Sequence, residues 1–173
     1  MTLIHIAADN TNSSLSSFTE NQVQPNAIDL RLERVFAFYD NDVFVITEEN
    51  KRHARKIELF PDEAGMWHLQ PGSYEVQFEG IVKIGSDEAG WVITRSTLNR
   101  NGVFITSGLY DSGYEGAMAG ALHVNAIQTK IKKGTRVGQF ILMKAQALHE
   151  YNGSYGIKDG VVKEEEQRYH GLS

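Results

Sequence analysis

Arg95-Ser96-Thr97-Leu98-Asn99-Arg100-Asn101-Gly102, followed after Val103-Phe104-Ile105-Thr106-Ser107 by Gly108-Leu109-Tyr110-Asp111-Ser112-Gly113-Tyr114-Glu115-Gly116, is the stretch around which the 173-residue chain is organised. The first cluster holds two guanidinium groups, two hydroxyls and a glycine. That set suits a polyanion such as a triphosphate, because the planar guanidinium fork grips phosphate oxygens while hydroxyls donate to the rest. The second cluster supplies one carboxylate, Asp111, in a glycine-flanked turn. The intervening Val103 to Ser107 reads as a short strand, which sets the clusters at opposite ends of about five extended residues, roughly 17 Å. One copy of the chain then presents cation and carboxylate far apart unless it folds back or a second copy contributes. Each cluster alone also has an ordinary reading: Arg-Ser as a surface salt bridge and turn cap, Asp-Ser-Gly as a hairpin turn.

Working outward, many short β-branched and aromatic runs alternate with Gly, Pro and Asp turns, and helical periodicity is scarce. This pattern predicts an all-β barrel or jelly roll. Pro25 forces Gln24 toward extended geometry, and Ile28, Leu30 and Leu32 alternate with Asp29, Arg31 and Glu33 as in a half-buried strand with Asp29 and Arg31 on its polar face. Val35 to Tyr39 and Val43 to Thr47, separated by Asp40-Asn41-Asp42, read as core strands of a hairpin. Glu48 to Lys56 mixes charge signs without an apolar stripe and reads as a solvated loop or short surface helix. Residues 57 to 83 return to strands. Trp91-Val92-Ile93-Thr94 feeds directly into Arg95. Ala117 to Ala121 is a run of small residues that predicts close packing against another layer or another subunit.

At 173 residues, 41% hydrophobic and 23% charged, the chain is read as a single domain of residues 1–173. Residues 1–23 form a polar N-terminal arm, either loose or packed on the body. Residues 157–173 form a C-terminal tail, a short helix ended by Gly171 or a frayed end. A net charge of -5 disfavours nucleic acid as a partner, whereas a small anionic ligand needs only a local basic pocket. There is no cysteine, which removes disulfides, thiolate metal sites and the zinc-dependent type of nucleobase deaminase. The six histidines lack ligand spacing. Neither a signal peptide nor a membrane span is read, so the expected location is cytoplasmic.

The two clusters together resemble the deoxyuridine triphosphatase and deoxycytidine triphosphate deaminase superfamily. Its members carry Arg-Ser-Ser-Leu or a close variant, then a Gly, an Ile-Asp-x-x-Tyr/Trp-x-Gly turn and a Gly-x-x-x-x-Gln strand. Here these stand as Arg95 to Leu98, Gly102, Tyr110 to Gly116 and Gly134-Thr135-Arg136-Val137-Gly138-Gln139. Upstream, Gln24 to Leu32 resembles the deaminase branch's Gln-Pro-Ala-Ser-x-Asp-Leu-Arg-Leu, and Gln70-Pro71-Gly72 resembles the family's Leu-x-Pro-Gly turn. Tyr151-Asn152-Gly153-Ser154-Tyr155 partly resembles the branch's Tyr-x-Gly-Lys-Tyr, with Ser154 in place of the usual cation and Lys158 nearby.

The resemblance implies a distorted jelly-roll β-barrel with few short helices, assembled as a homotrimer with active sites at subunit interfaces. It implies a dUTP diphosphatase in which Asp111 activates the water that attacks the α-phosphorus. Arg95, Ser96, Thr97, Arg100, Thr106, Tyr110, Tyr114, Gln139 and Tyr155 would bind substrate. Tyr114 would stack under the deoxyribose, and backbone groups of Thr106 to Tyr110 would read uracil. Mg2+ would ride on the substrate phosphates with no direct protein ligand, Asp29 reaching it at most through water. The deaminase branch needs a Glu five residues after Gly116, and that position is Ala121, so dUTP hydrolysis is favoured. The alternatives are a dCTP deaminase, alone or bifunctional, and a catalytically silent member that binds a nucleotide or a protein.

Overall fold

The structure is a computed structural model that describes residues 2–125 and 127–170. Its main strands, in chain order, are β1 (Ala27–Phe38), β2 (Lys56–Leu59), β3 (Gly72–Lys83), β4 (Glu88–Thr94), β5 (Val103–Thr106), β6 (Leu109–Tyr110), β7 (Glu115–Val124) and β8 (Arg136–Lys144). A one-turn helix, α1 (Ser96–Asn99), sits between β4 and β5. The all-β expectation holds, with 49% of residues in strands and 8% helical in a curled antiparallel sheet.

The sheet order is β5-β7-β3-β1-β8-β4-β6. Its curl originates in β1, whose first half pairs with β8 (Asp29↔Gln139, Ile28↔Phe140) and whose second half pairs with β3 and β2 (Val35↔Val76, Val35↔Leu59). Register shifts between Leu32 and Arg34, and between Arg136 and Gly138, fall where the strand changes partners. An extra residue in one strand bends it and increases its twist, so one strand can serve two sheets. The enclosed core contains Ile28, Leu30, Leu32, Val35, Val76, Phe78, Met118, Leu122, Phe140 and Leu142, all essentially without solvent exposure. Gly90 permits this closure. A Cβ there would stand 2.1 Å from the Phe140 ring.

Three expectations need correction. The start of β1 is not half-buried: Asp29 is as buried as Ile28 and Leu30. The strand is paired along its edges with β8 and with Val23–Gln24, the Gln22 side chain donates to the Asp29 carbonyl, and Arg95, Arg136 and Gln139 close over the Asp29 side chain. Val43 to Thr47 is not core; Ile46 is 68% exposed, and only Val45–Ile46 forms a strand, with Lys51–Arg52. That pairing also places part of Glu48 to Lys56 in a small hairpin rather than a loop or helix, and Lys56 begins β2. Apolar alternation specifies an extended backbone but not what covers it.

Of the two readings of the N-terminal arm, the packed one is observed. Leu3–Ile4 pairs with β8 and Ser14–Leu15 with β3. Between them, buried Glu88 fastens the arm: its Oε2 accepts from Thr11 Oγ1 (2.6 Å), Ser13 Oγ and Ser13 N, while Lys144 Nζ lies 2.6 Å from Oε1. The tail forms a hairpin, Ile157–Lys158 with Val161–Val162, and a 3-10 helix, Glu164–His170. Gly171, the expected helix stop, lies outside the described residues. No helix among the described residues is long and apolar enough to cross a membrane.

Burial raises the Glu88 pKa, but Lys144 and the Ser13 and Thr11 hydroxyls outweigh it and hold the carboxyl down at about 2. A depressed carboxylate stabilises the fold above its unfolded value of 4.5, and this stabilisation is lost as pH falls from there through about 2. Glu88→Gln should therefore lower stability at pH 7 by about 1–3 kcal/mol. It should also flatten the loss of stability between pH 5 and pH 2, as measured by urea unfolding across that range.

Candidate active site

β4 surfaces at Thr94, and Arg95 follows in extended conformation (φ -65°, ψ 142°) before α1 begins. Its backbone N–H donates to Val137 O at 3.1 Å and its Nη1 to Arg136 O at 3.1 Å, so the side chain is fixed against β8. Arg95 Nε and Arg136 Nη1 each lie 3.3 Å from Asp29 Oδ2, and Gln139 Nε2 donates to Asp29 Oδ1 at 3.0 Å. Oδ2 has no aligned hydrogen bond, so the two guanidinium groups hold it by charge. Arg31, paired in register with Arg136, donates to Gly134 O at 2.8 Å. Two guanidinium groups face the one carboxylate, and Arg31, Arg95 and Arg136 remain part-exposed beside the exposed Ser96, Thr97 and Arg100. The result is a local positive surface on a chain of net charge -5.

The carboxylate half is built separately. Tyr114 N–H donates to Asp111 O at 3.0 Å, Gly113 takes a positive φ of 80°, and Ser112 Oγ donates to Glu88 O at 2.6 Å, which pins the turn. The Asp111 side chain is exposed in a depression shared with Ala89, Leu109, Ala147 and His149. The register Gly90↔Tyr110 sets Asp111 level with Ala89, six residues before Arg95 on one extended strand, roughly 20 Å. The chain does not bring Arg95 and Asp111 together.

A cavity of about 340 Å³ opens on the other side of Leu109. Ala119, Gly120 and Ala121 form its floor, Tyr110, Tyr114 and Tyr155 its aromatic wall, and Lys56, Glu75 and Arg168 its charged end. Tyr110 and Tyr114 are themselves buried. Tyr110 OH donates to Ala119 O (2.9 Å) and accepts from Ala119 N (3.1 Å), and Tyr114 OH donates to Ala117 O (2.7 Å). Burial raises both phenol pKa values, and for Tyr114 the Glu166 charge adds to it.

The family model described as dCTP deaminase-like matches residues 2–145. The chain belongs to that family. Its relatives carry two different names. A probable deoxyuridine 5'-triphosphate nucleotidohydrolase of Methanopyrus kandleri is 31% identical over 140 residues, 79% of this chain and 89% of that protein. A dUMP-forming dCTP deaminase of Bifidobacterium adolescentis is 30% identical over 150 residues, 82% of this chain and 77% of that protein. The fold matches the crystal structure of 2'-deoxycytidine 5'-triphosphate deaminase from Agrobacterium tumefaciens with a TM-score of 0.57 at 17% identity, over 79% of this chain and 45% of that one. A Staphylococcus bacteriophage 80alpha dUTPase variant matches with a TM-score of 0.50 at 11% identity, covering 82% and 96%. Family members are nucleotide-metabolising enzymes.

Set beside the family's motifs, the structure gathers Arg95 and Gln139 on Asp29 and adds Arg136, which stands within the Gly134 to Gln139 motif without an assigned role. Thr106 Oγ1 faces His123 Nε2 at 3.0 Å. Tyr114 is buried, with Tyr151 packed edge-on against it at 5.3 Å. Asp29 is fully buried and enclosed by Arg95, Arg136 and Gln139.

The tail, beyond the matched residues, supplies what the sequence did not signal. Fully buried Glu166 accepts from Ala117 N (2.5 Å) and Gly156 N (3.0 Å), docking the 3-10 helix onto the small-residue strand. Within this chain the layer packed on the start of the Ala117 to Ala121 run is the tail, held at Ala117 by Glu166. The cation missing at Ser154 comes from elsewhere, as Lys51 Nζ donates to Ser154 Oγ at 2.8 Å. Lys158 instead reaches Asn152. Nothing distinguishes Glu166 from Glu164 and Glu165 in sequence.

Asp29→Ala should lower stability by about 3–5 kcal/mol, because two guanidinium groups lose their buried counter-charge. Exposed Arg100→Ala should stay within about 0.5 kcal/mol. Urea unfolding of both variants measures the difference.

Proposed function

We propose that the protein is a dUTP diphosphatase, acting as one domain in a homotrimer and releasing dUMP and pyrophosphate. The observation that carries this reading is Asp111, an exposed carboxylate in a pinned turn, combined with alanine at position 121. Asp111 orients a water whose oxygen attacks the α-phosphorus as the bond to the bridging oxygen of the β-phosphate breaks. A carboxylate near pH 7 is a weak base, so it polarises this water more than it deprotonates it in advance. Negative charge accumulates on the departing pyrophosphate. Arg95, Arg136 and the Ser96 hydroxyl offset it, with Gln139 and Asp29 keeping the guanidinium groups aimed before substrate arrives.

Among the described residues no group of three or more acidic or histidine side chains could hold a metal ion. Mg2+ riding on the triphosphate oxygens would neutralise phosphate charge. The distance of roughly 20 Å between Arg95 and Asp111 in one chain calls for a second copy to complete each site. Trp91 and Ile93 lie on one face of β4 with Leu109 paired opposite Trp91, and all three are exposed apolar residues, Leu109 at 56%. They offer surface for that contact, and closed symmetry is the usual outcome for soluble homo-oligomers.

A deaminase reading would have to route protons through Glu75, the residue directly paired with Ala121. Glu75 is already ion-paired to Lys56 and Arg168.

Incubation with each deoxynucleoside triphosphate and Mg2+ should yield pyrophosphate from dUTP and no ammonia from dCTP; ammonia at a comparable rate would overturn the reading. Asp111→Asn should abolish turnover while dUTP affinity stays within about threefold, a transition-state loss without a binding loss. Mixing Arg95→Ala and Asp111→Asn subunits should restore part of the activity. No rescue after verified subunit exchange would exclude shared sites.

A further inference from the structure

The N-terminal arm meets the arginine cluster at one turn. This turn is a 3-10 helix, Glu20–Gln22, closed by a capping box between Thr19 and Gln22. The Gln22 side chain is buried, and both ends of its amide are committed. Its Nε2 donates to Asp29 O at 2.9 Å, while its Oε1 accepts from Thr19 N at 3.0 Å and from Arg31 Nε at 3.1 Å. Each of these partners can only donate or only accept, so the amide has a single orientation. Asn21 beside it accepts from Arg31 Nη2 through Oδ1 at 3.1 Å, and from Arg136 Nη1 through its backbone oxygen. One turn of the arm thus holds two arginines of the cluster.

The charge balance of the cluster does not suit a purely structural joint. Asp29 pairs with Arg95 and Arg136, but among the described residues no carboxylate pairs with Arg31. Arg31 stands opposite Arg136 in register, and like charges directly opposite on neighbouring strands lower stability. A joint built only to hold the sheet would gain from a glutamate at position 22, which would still accept from Arg31 Nε and would cancel a charge. The chain uses neutral amides instead. Three guanidinium groups against one carboxylate leave an excess of positive charge that is fixed in direction and not neutralised.

We propose that Gln22 is a positioning residue. It aims Arg31, and with Asn21 also Arg136, toward an incoming phosphate chain while leaving their charge available to it. The inference rests on the reading of the protein as a dUTP diphosphatase and gives the arm, which lies outside every motif, a part in the reaction. Donors set in place beforehand lose less freedom on binding than loose side chains do.

Calorimetric titration of the full chain with inorganic triphosphate, which has no base or sugar, tests this. Gln22→Leu frees the Arg31 side chain, and Gln22→Glu holds it but cancels its charge; each should weaken triphosphate at least fivefold. The Gln22→Glu affinity should also depend less steeply on salt than that of wild type, a change that a loss of packing does not produce. Exposed Asn21→Asp adds a carboxylate beside Arg31 without entering the core, and should weaken triphosphate at least threefold even if changes at position 22 prevent folding. Thr11→Val loosens the arm at Glu88, away from the arginines, and should leave affinity within twofold. Unchanged affinity in Asn21→Asp or in a folded Gln22→Glu, an equal loss in Thr11→Val, or no binding by wild type would overturn the proposal. Triphosphate binding that depends on position 22 without pyrophosphate release from dUTP would remove the hydrolase assignment alone. Turnover of dUTP with affinity indifferent to positions 21 and 22 would remove this one alone.

Discussion

A single buried carboxylate organises the arginine cluster of the molecule. Removing Asp29 from water costs several kcal/mol, and that cost is offset only where good geometry supplies counter-charge and hydrogen bonds. Arg95, Arg136 and Gln139 supply them from two other segments. The arrangement joins the start of β1, the end of β4 and the middle of β8. It also decides the character of the surface above it, because the carboxylate neutralises part of the guanidinium charge below while the outer faces of the arginines stay open. An apolar residue at position 29 would pack into the sheet, but it would leave the arginines free to turn into solvent. Aiming them beforehand is what the proposed grip on a phosphate chain requires.

Glu166 plays the corresponding part for the tail. Its two oxygens satisfy Ala117 N and Gly156 N, and a Cβ at Gly116 would stand 2.7 Å from Glu166 Oε1 and 2.6 Å from Tyr114 OH. The glycine therefore exists for the carboxylate, and the carboxylate places Arg168 and Tyr169 over the cavity. Once the tail is docked, Glu75, which lies beside Ala121 on the neighbouring strand, acquires two of its partners. Tail position and cavity electrostatics are one property.

The fold was legible because its signals are local. Alternation, turn residues and the motif spacing each act over a few residues, and β4 running into Arg95 and β5 ending before the Asp111 turn followed directly from them. The hydroxyl and guanidinium set at residues 95–100 was legible for the same reason. What failed was everything decided by a distant neighbour. Asp29 reads as a polar-face residue on an alternating strand, and its burial depends on residues more than sixty positions away. Val43 to Ile46 alternates as a core strand does, yet no layer covers it. Tyr151 packs edge-on against Tyr114 from outside its motif. Glu166 and Arg168 sit in a run of charges whose pattern matches any solvated end.

The separation of Arg95 from Asp111 has an electrostatic consequence that favours the assembly proposed for this chain. At roughly 20 Å in water the two charges interact by only about 0.2 kcal/mol, so within one copy neither stabilises the other. Each half must then be held by its own neighbours, as observed: Asp29, Arg136 and Gln139 for the cation, and the Glu88–Ser112 hydrogen bond and Gly113 for the carboxylate. Two halves that are rigid independently can be brought together by rigid-body association without either rearranging. In the proposed assembly, cation and carboxylate therefore meet at the same phosphate chain only when a second copy is present.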